Sequence, residues 1–214
     1  MTAPVAIFDH LVVAGVTLAQ SIEWFADLTG VSARPSGQHV RMGTHNALAK
    51  LGERAFVELI AIDPSLPKPA RPRWFDMDNA KLALTLGEQP RLVNWAARTT
   101  DLDGLLARAN HDAGTAMSMA RGDFKWRITV PDDGHRPGDG VLPTLLQWDV
   151  PEHPADSLPD HGMALEQLAA SHPEPEEIRA SLKPLGLGET LRVTYDSSPR
   201  LAAMLRTPRG LVTL

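Results

Sequence analysis

The chain has 214 residues, of which 43% are hydrophobic and 22% are charged. It is therefore long and apolar enough to bury a core, which excludes a disordered or fibrous protein. The 21 Lys and Arg residues against 26 Asp and Glu residues give a net charge of −5, and this balance disfavours binding to nucleic acid. The sequence has no cysteine, so a metal would need histidine, carboxylate, amide or water ligands.

The N-terminal segment does not resemble a targeting signal. Residues 1–10 contain no basic stretch followed by an apolar run, and no later window approaches the ~20 apolar residues of a membrane span. We therefore predict a protein without membrane attachment that stays in the cytoplasm.

A strand, a helix and three further strands are predicted within residues 1–63. Thr17 and Gln20 form a capping box before the helix, and Gly30 stands where a left-handed residue ends it. Glycines separate the strand-like segments that follow. The predicted elements are a strand at 8–14, a helix at 18–29, and strands at 31–42, 44–51 and 54–62.

The same β-α-β-β-β order returns within residues 91–150. Its elements are a strand at 91–97, a helix at 101–113, and strands at 115–120, 124–130 and 142–150. The polar loop 132–140 is long enough to form a lid or rim. Residues 64–90 begin rich in proline and are predicted to be a crossover linker with a short helix at 79–86.

A third, shorter copy is predicted within residues 151–214. Ser171 and Glu174 cap a helix that follows a strand at 164–169. Three short strands, at 191–195, 201–205 and 211–214, complete this C-terminal βαβββ-like unit. Because two units suffice to build one cup, the third is left over, and we expect it to support a homodimer.

The sequence resembles the glyoxalase-like branch of the vicinal oxygen chelate superfamily. This resemblance spans roughly residues 8 to 150. It implies an α+β fold, in which repeated βαβββ units form a cupped mixed sheet that holds a divalent metal. The segments that carry it are Phe8–Ala14, Gly43–Leu48, Phe56–Asp63, Arg73–Phe75 and Leu142–Asp149.

The resemblance also implies four metal-binding positions, one on the first and one on the last strand of each unit. Laying the first unit on the second matches His10 with Asn94 and Glu58 with Gln147. Imidazole and carboxylate suit Zn, Ni, Mn or Fe(II), but the two amides supply no charge, so we expect weak binding. The alternatives are a buried His10 bonded to backbone, a solvated Glu58 and a core Gln147.

The predicted hairpin 38–51 carries further candidates. His39 and Arg41 share one face of its first arm, and His45 could return to that face on the second arm. Arg41 or His45 would then bind a carboxylate, enolate or carbonyl oxygen of the substrate. The alternative is an exposed hairpin. The tryptophans are expected mainly in the core, and the histidines at 111, 135, 153, 161 and 172 on the surface.

Two functions remain open at this stage. The first is an enzyme that acts on a small molecule, with isomerase, lyase or dioxygenase chemistry, in which Glu58 moves a proton and a metal stabilises an enolate. The second is a protein that sequesters a small molecule without turnover, as drug-resistance members of the superfamily do. The fold alone does not separate them.

Overall fold

The structure, a computed structural model, describes residues 5–214; the first four residues of the N-terminal segment considered above lie outside this range. The first unit consists of β1 (Ile7–Ala14), α1 (Leu18–Thr29), β2 (Arg34–His39), β3 (Thr44–Lys50) and β4 (Phe56–Ile62). The second consists of β5 (Arg91–Arg98), α3 (Leu102–Leu106), β6 (Thr115–Arg121), β7 (Phe124–Val130) and β8 (Thr144–Trp148), and α2 (Ala80–Glu88) lies in the segment 64–90 between the units.

One eight-stranded sheet contains both units, in the order β2-β3-β4-β1-β5-β8-β7-β6. The two first strands, β1 and β5, pair antiparallel at its centre, and each pairs in parallel with the last strand of its own unit. The strand order of one half therefore mirrors that of the other. This arrangement confirms the predicted α+β fold with a cupped mixed sheet.

Two predicted elements are shorter than expected. The strand predicted at 31–42 covers only β2, because residues 40–42 turn as a 3-10 helix that ends at Gly43 with φ 63°. The helix predicted at 101–113 covers only α3, which Asp101 caps through the Gly104 amide. Only Leu102 and Leu105 of α3 are buried, so a single apolar turn anchors it.

The segment 64–90, predicted as a linker, covers the concave face of the sheet. Trp74, Phe75 and Met77 are buried there and pack in one apolar cluster with Val12 of β1 and Leu146 of β8. The proline-rich start of this segment predicted a simple connection between the units. The segment also carries large apolar side chains, which are usually buried. It is therefore one wall of the cup.

The C-terminal region forms a second sheet of its own. It contains β9 (Ala164–His172), α4 (Pro175–Leu182), β10 (Arg192–Tyr195), β11 (Arg200–Thr207) and β12 (Gly210–Thr213). The predicted βαβββ element order is confirmed, but the sheet order β10-β9-β11-β12 differs from that of the first two units. Strand β9 lies inside its sheet rather than at one end.

The C-terminal sheet packs on the side of the main sheet that carries α1. Leu182 and Leu205 of this region share one buried cluster with Leu11, Phe25 and Trp95. The apolar face of the C-terminal unit, which was expected to be left over, is thus covered within the same chain. It therefore supplies no packing reason for a homodimer. The homodimer stays a prediction. None of the helices among residues 5–214 has the length and apolar character needed to cross a membrane.

Candidate active site in the cup

A small cavity lies on the concave face, between the two halves of the sheet. The space open to water is about 30 Å3, enough for a water molecule. Its polar lining comes mostly from the first unit and its apolar lining mostly from the second. The lining residues are His10, His39, Asn46, Phe56, Glu58, Trp74, Phe75, Arg121, Trp126, Ile128, Leu146 and Trp148.

Asp9 is a fully buried carboxylate that accepts four hydrogen bonds. Its Oδ1 lies 2.6 Å from His10 Nδ1, and its Oδ2 accepts from Arg98 at 3.3 Å, Trp148 Nε1 at 3.0 Å and His153 Nε2 at 3.2 Å. Burial alone would raise the pKa of Asp9, but the hydrogen bonds and charges of His10 and His153 hold it well below its usual range. Asp9 is therefore ionised and fixes the tautomer of both histidines.

His10 presents its second nitrogen to Glu58. Because Nδ1 donates to Asp9, the lone pair of a neutral His10 is on Nε2, which lies 3.7 Å from Glu58 Oε2. The imidazole stacks on Phe56 with ring centroids 4.4 Å apart. Glu58 accepts at its other oxygen from Asn46 Nδ2, at 2.6 Å. His10 Nε2 and Glu58 Oε2 thus face each other as two proton acceptors. Asp9 fixes the first side chain and Asn46 the second.

Arg121 reaches the cavity from β6, on the opposite half of the sheet. Its guanidinium lies 3.1 Å from His39 Nε2 and over the Trp126 ring, 5.9 Å from the centroid. Burial and the charge of Arg121 lower the pKa of His39 to about 3, so His39 is neutral and accepts from Arg121. His39 Nδ1 then donates to Thr44 Oγ1, at 3.2 Å.

Arg41 joins the same two edges of the sheet nearer the surface. It donates to the backbone oxygen of Ser118 in β6, at 2.6 Å. Its side chain does not line the cavity. This contact, like that of Arg121 with His39, connects the end of β2 to β6.

The wall formed by Trp74 and Phe75 includes unusual backbone. Phe75 and Asp76 have φ of 59° and 57°, in the left-handed region that residues other than glycine rarely adopt. The loop 132–140, predicted as a lid or rim, holds this turn: Arg136 binds Asp76 at 3.0 Å, and the Asp76 amide donates to Gly134 O at 2.9 Å. Such strain persists where surrounding contacts enforce it, often at functional sites.

The structure does not bring together the four positions expected to bind a metal. Asn94 lies on β5, the strand equivalent to β1, but a bulge changes the register there. Its amide is fully buried and bonds Gly140 O, Leu142 O and Thr144. Gln147 instead accepts from Leu102 N at 3.0 Å, on α3. Neither Asn94 nor Gln147 therefore lines the cavity with His10 and Glu58.

Other expectations about this region also need correction. His45 points away from the cavity and lies 3.5 Å from Asp63, because neighbouring Asn46 faces the cavity and side chains alternate along a strand. His153, expected on the surface, is 1% exposed. His39 is buried rather than part of an exposed hairpin. Sequence reasoning did not find Arg121, which no motif marks.

The donors present do not fit a divalent metal. No group of three or more His, Asp or Glu residues among residues 5–214 is arranged to hold one. The Nε2 of His39 is occupied by Arg121 and the Oε1 of Glu58 by Asn46. This leaves two ligands, fewer than the three that catalytic zinc sites use, and the positive charge of Arg121 is close enough to interact with Glu58.

The chain has two βαβββ units that share one cupped sheet. This arrangement defines the glyoxalase/dioxygenase-like fold, which the sequence resemblance had predicted. A family model described as a glyoxalase-like domain matches residues 8–186, so the chain belongs to the glyoxalase-like domain family. A search of curated protein sequences gives no match.

One solved structure supports this fold, and two others are similar over part of their length. A hypothetical protein from Staphylococcus aureus is 12% identical, with 92% of this chain and 88% of that one covered and a TM-score of 0.63. Methylmalonyl-CoA epimerase from Mycobacterium tuberculosis is 21% identical, with coverages of 69% and 91% and a TM-score of 0.42. A mutant of 4-hydroxymandelate synthase from Streptomyces coelicolor is 13% identical, with coverages of 98% and 62% and a TM-score of 0.47.

Proposed function

We propose that the chain binds a small oxygenated organic molecule in the cavity and transfers a proton on it. The observation that carries this proposal is the pair of proton acceptors, His10 Nε2 and Glu58 Oε2, which lie 3.7 Å apart in a closed and mostly apolar cavity. A low-dielectric site of this kind strengthens both the base and the groups that stabilise developing charge.

The proposed step is proton abstraction next to a carbonyl group. Glu58 takes the proton as the C–H bond breaks, and the electron pair moves to the carbonyl oxygen to give an enolate. His10 accepts the proton from Glu58 at Nε2 and returns it, while the negative charge of Asp9 stabilises the imidazolium that forms. The proton lost by the ligand is thus held on the pair, where it exchanges with solvent before a hydrogen is returned to the same carbon.

Arg121 is the group placed to stabilise the enolate oxygen. Arg41 and His45 were expected to bind substrate oxygen, but neither lines the cavity. The Arg121 guanidinium does, and its N–H groups are charged donors next to the proton-transfer pair. On this proposal, it supplies the positive charge that a metal would otherwise provide.

Exchange of carbon-bound hydrogen with deuterated solvent tests this function. The probe is hydroxyacetone, and NMR measures the rate at which its carbon-bound hydrogen is replaced by deuterium. A chelator is present to remove metal ions. We expect the protein to accelerate exchange, and Glu58→Gln to lower the rate at least ~100-fold, while Glu53→Gln, an exposed matched control, leaves it unchanged. Exchange no faster than in buffer contradicts proton transfer.

A sequestering protein is the second candidate, and the aromatic walls favour it. Trp74, Phe75, Trp126 and Trp148 surround the cavity, as in sites that hold planar compounds mainly by apolar contact. On this alternative, hydroxyacetone binds without exchange, and Glu58→Gln has no catalytic rate to lower. The same experiment therefore separates the two functions.

A further inference from the structure

Two residues that line the cavity each carry a polar atom without a hydrogen-bond partner in the described part of the chain. The atoms are Asn46 Oδ1 and Trp74 Nε1, on side chains of residues that are only 1% and 4% exposed. The orientation of the Asn46 amide follows from its other contact, since Nδ2 must donate to the carboxylate of Glu58. One acceptor and one donor on residues that line the cavity are thus buried and unpaired.

The charges around the cavity balance without a ligand. Arg98 lies 3.3 Å from the Asp9 carboxylate, and the charge of Arg121 acts on Glu58. His39 is neutral because it accepts from Arg121. A charged ligand would therefore bury a charge without a counterion, which is strongly unfavourable, so the cavity favours a neutral molecule.

We propose that Trp74 and Asn46 determine specificity, and that the ligand is a small neutral hydroxy ketone or hydroxy aldehyde. Its carbonyl oxygen accepts from Trp74 Nε1, and its hydroxyl donates to Asn46 Oδ1. This inference rests on the proposed function, because it concerns the same cavity. It extends that function by naming the ligand class and by placing one recognition group in the segment 64–90.

Three small probes test the ligand class on the unaltered protein. Hydroxyacetone carries both groups, acetone lacks the hydroxyl, and glycolate replaces the ketone by a carboxylate. We expect ligand-observed NMR titration to show hydroxyacetone binding at least about tenfold more tightly than either of the others. Equal binding of acetone, or tighter binding of glycolate, overturns the proposal, and neither result depends on a variant that folds.

Two variants assign the recognition to the individual groups. Trp74→Phe keeps the ring but removes the N–H, so it should weaken hydroxyacetone and acetone alike, by about fivefold to tenfold. Asn46→Leu keeps a side chain of similar size but offers no acceptor, so it should weaken hydroxyacetone alone and abolish its preference over acetone. Trp24→Phe, on α1 and away from the cavity, is the matched control and should change neither.

Binding and turnover remain separate in these experiments. If hydroxyacetone binds with the expected preference but does not exchange its hydrogen, the specificity proposal is supported and the proton-transfer function is wrong. If exchange occurs but Trp74→Phe and Asn46→Leu bind both ketones as the unaltered protein does, the function is supported and the specificity proposal is wrong.

Discussion

The two halves of the cup have the same strand order but different chemistry. The first unit supplies His10, His39, Asn46 and Glu58 to the cavity, whereas the second supplies the walls Trp126, Ile128, Leu146 and Trp148 and a single charge, Arg121. The backbone arrangement therefore does not dictate which side chains meet. In this chain one half carries the groups proposed to transfer a proton, and the other encloses them.

The largest effect is expected where a residue ties the two halves together. Asp9, from β1, accepts hydrogen bonds from Arg98 and Trp148 of the second half. Asp9→Asn removes the charge that balances Arg98 and places an N–H group among donors, so we expect the free energy of unfolding to fall by about 3–5 kcal/mol. Urea denaturation at neutral pH measures it.

The matched control for this variant is an aspartate in an exposed ion pair. Asp103 lies 2.9 Å from Arg127 and its side chain is 73% exposed, so Asp103→Asn should change the free energy of unfolding by no more than ~1 kcal/mol. Equal losses in the two variants would show that Asp9 does not connect the halves as described.

A second variant tests whether a histidine at position 94, on the second half of the sheet, can bind a metal together with Glu58. Asn94→His loses the buried hydrogen bonds to Leu142 O and Thr144, so we expect a loss of about 2–3 kcal/mol in unfolding free energy. Zinc affinity, measured by calorimetry, should not rise, because residue 94 does not face Glu58. Tighter zinc binding would contradict the bulged register of β5; Asn110→His, on the surface, controls for an added imidazole.

Acid stability should also differ between the halves. Hydrogen bonds from Ser65 and Gln38 lower the pKa of Asp63, just after β4, to about 2. A folded-state pKa below the unfolded value of 3.8 stabilises the protein above pH 4, and this contribution is lost as the pH falls from about 4 to about 2. Between pH 5 and pH 3, the free energy of unfolding should therefore fall by about 1 kcal/mol less in Asp63→Asn than in the unaltered protein.

The second half offers the control for this titration. Asp149 follows β8 as Asp63 follows β4, but it is exposed. Asp149→Asn should leave the pH dependence between pH 5 and pH 3 nearly unchanged, as urea unfolding at the two pH values will show. A similar effect of both substitutions would contradict the assigned role of the Asp63 hydrogen bonds.

The smallest effect is expected at the exposed contact between the edges. Arg41 donates to Ser118 O at the surface, where water readily replaces a lost hydrogen bond. Arg41→Gln should therefore change the free energy of unfolding by no more than about 0.5 kcal/mol. A loss of more than ~1 kcal/mol in thermal or urea unfolding would show that this contact holds the halves together.

The sequence predicted the fold well because its signals are local. Capping residues and glycines mark the element order of both units, and a strand order then follows from the resemblance. The direction of a single side chain is less local: a one-residue change of register turns it to the other face. For this reason Leu146, rather than the predicted Gln147, faces the cavity, and the bulge that turns Asn94 has no sequence marker.

The rest of the site depends on contacts between distant residues. Asp9 and His153 are 144 positions apart, and His39 and Arg121 are 82 apart. Neither member of such a pair is distinguished by its neighbours in sequence. His10 and Glu58 were found because they lie on strands with a recognised order, whereas Arg121 and Trp74 reach the cavity from an edge strand and a connection.

The approach of β2 to β6 has a consequence for behaviour at high protein concentration. These are the outer strands of the eight-stranded sheet, and free backbone groups on such strands invite pairing with other chains. Here Arg41 occupies the backbone oxygen of Ser118, and Pro35 removes one N–H donor from β2. The contacts that enclose the cavity therefore also protect the protein from edge-to-edge aggregation.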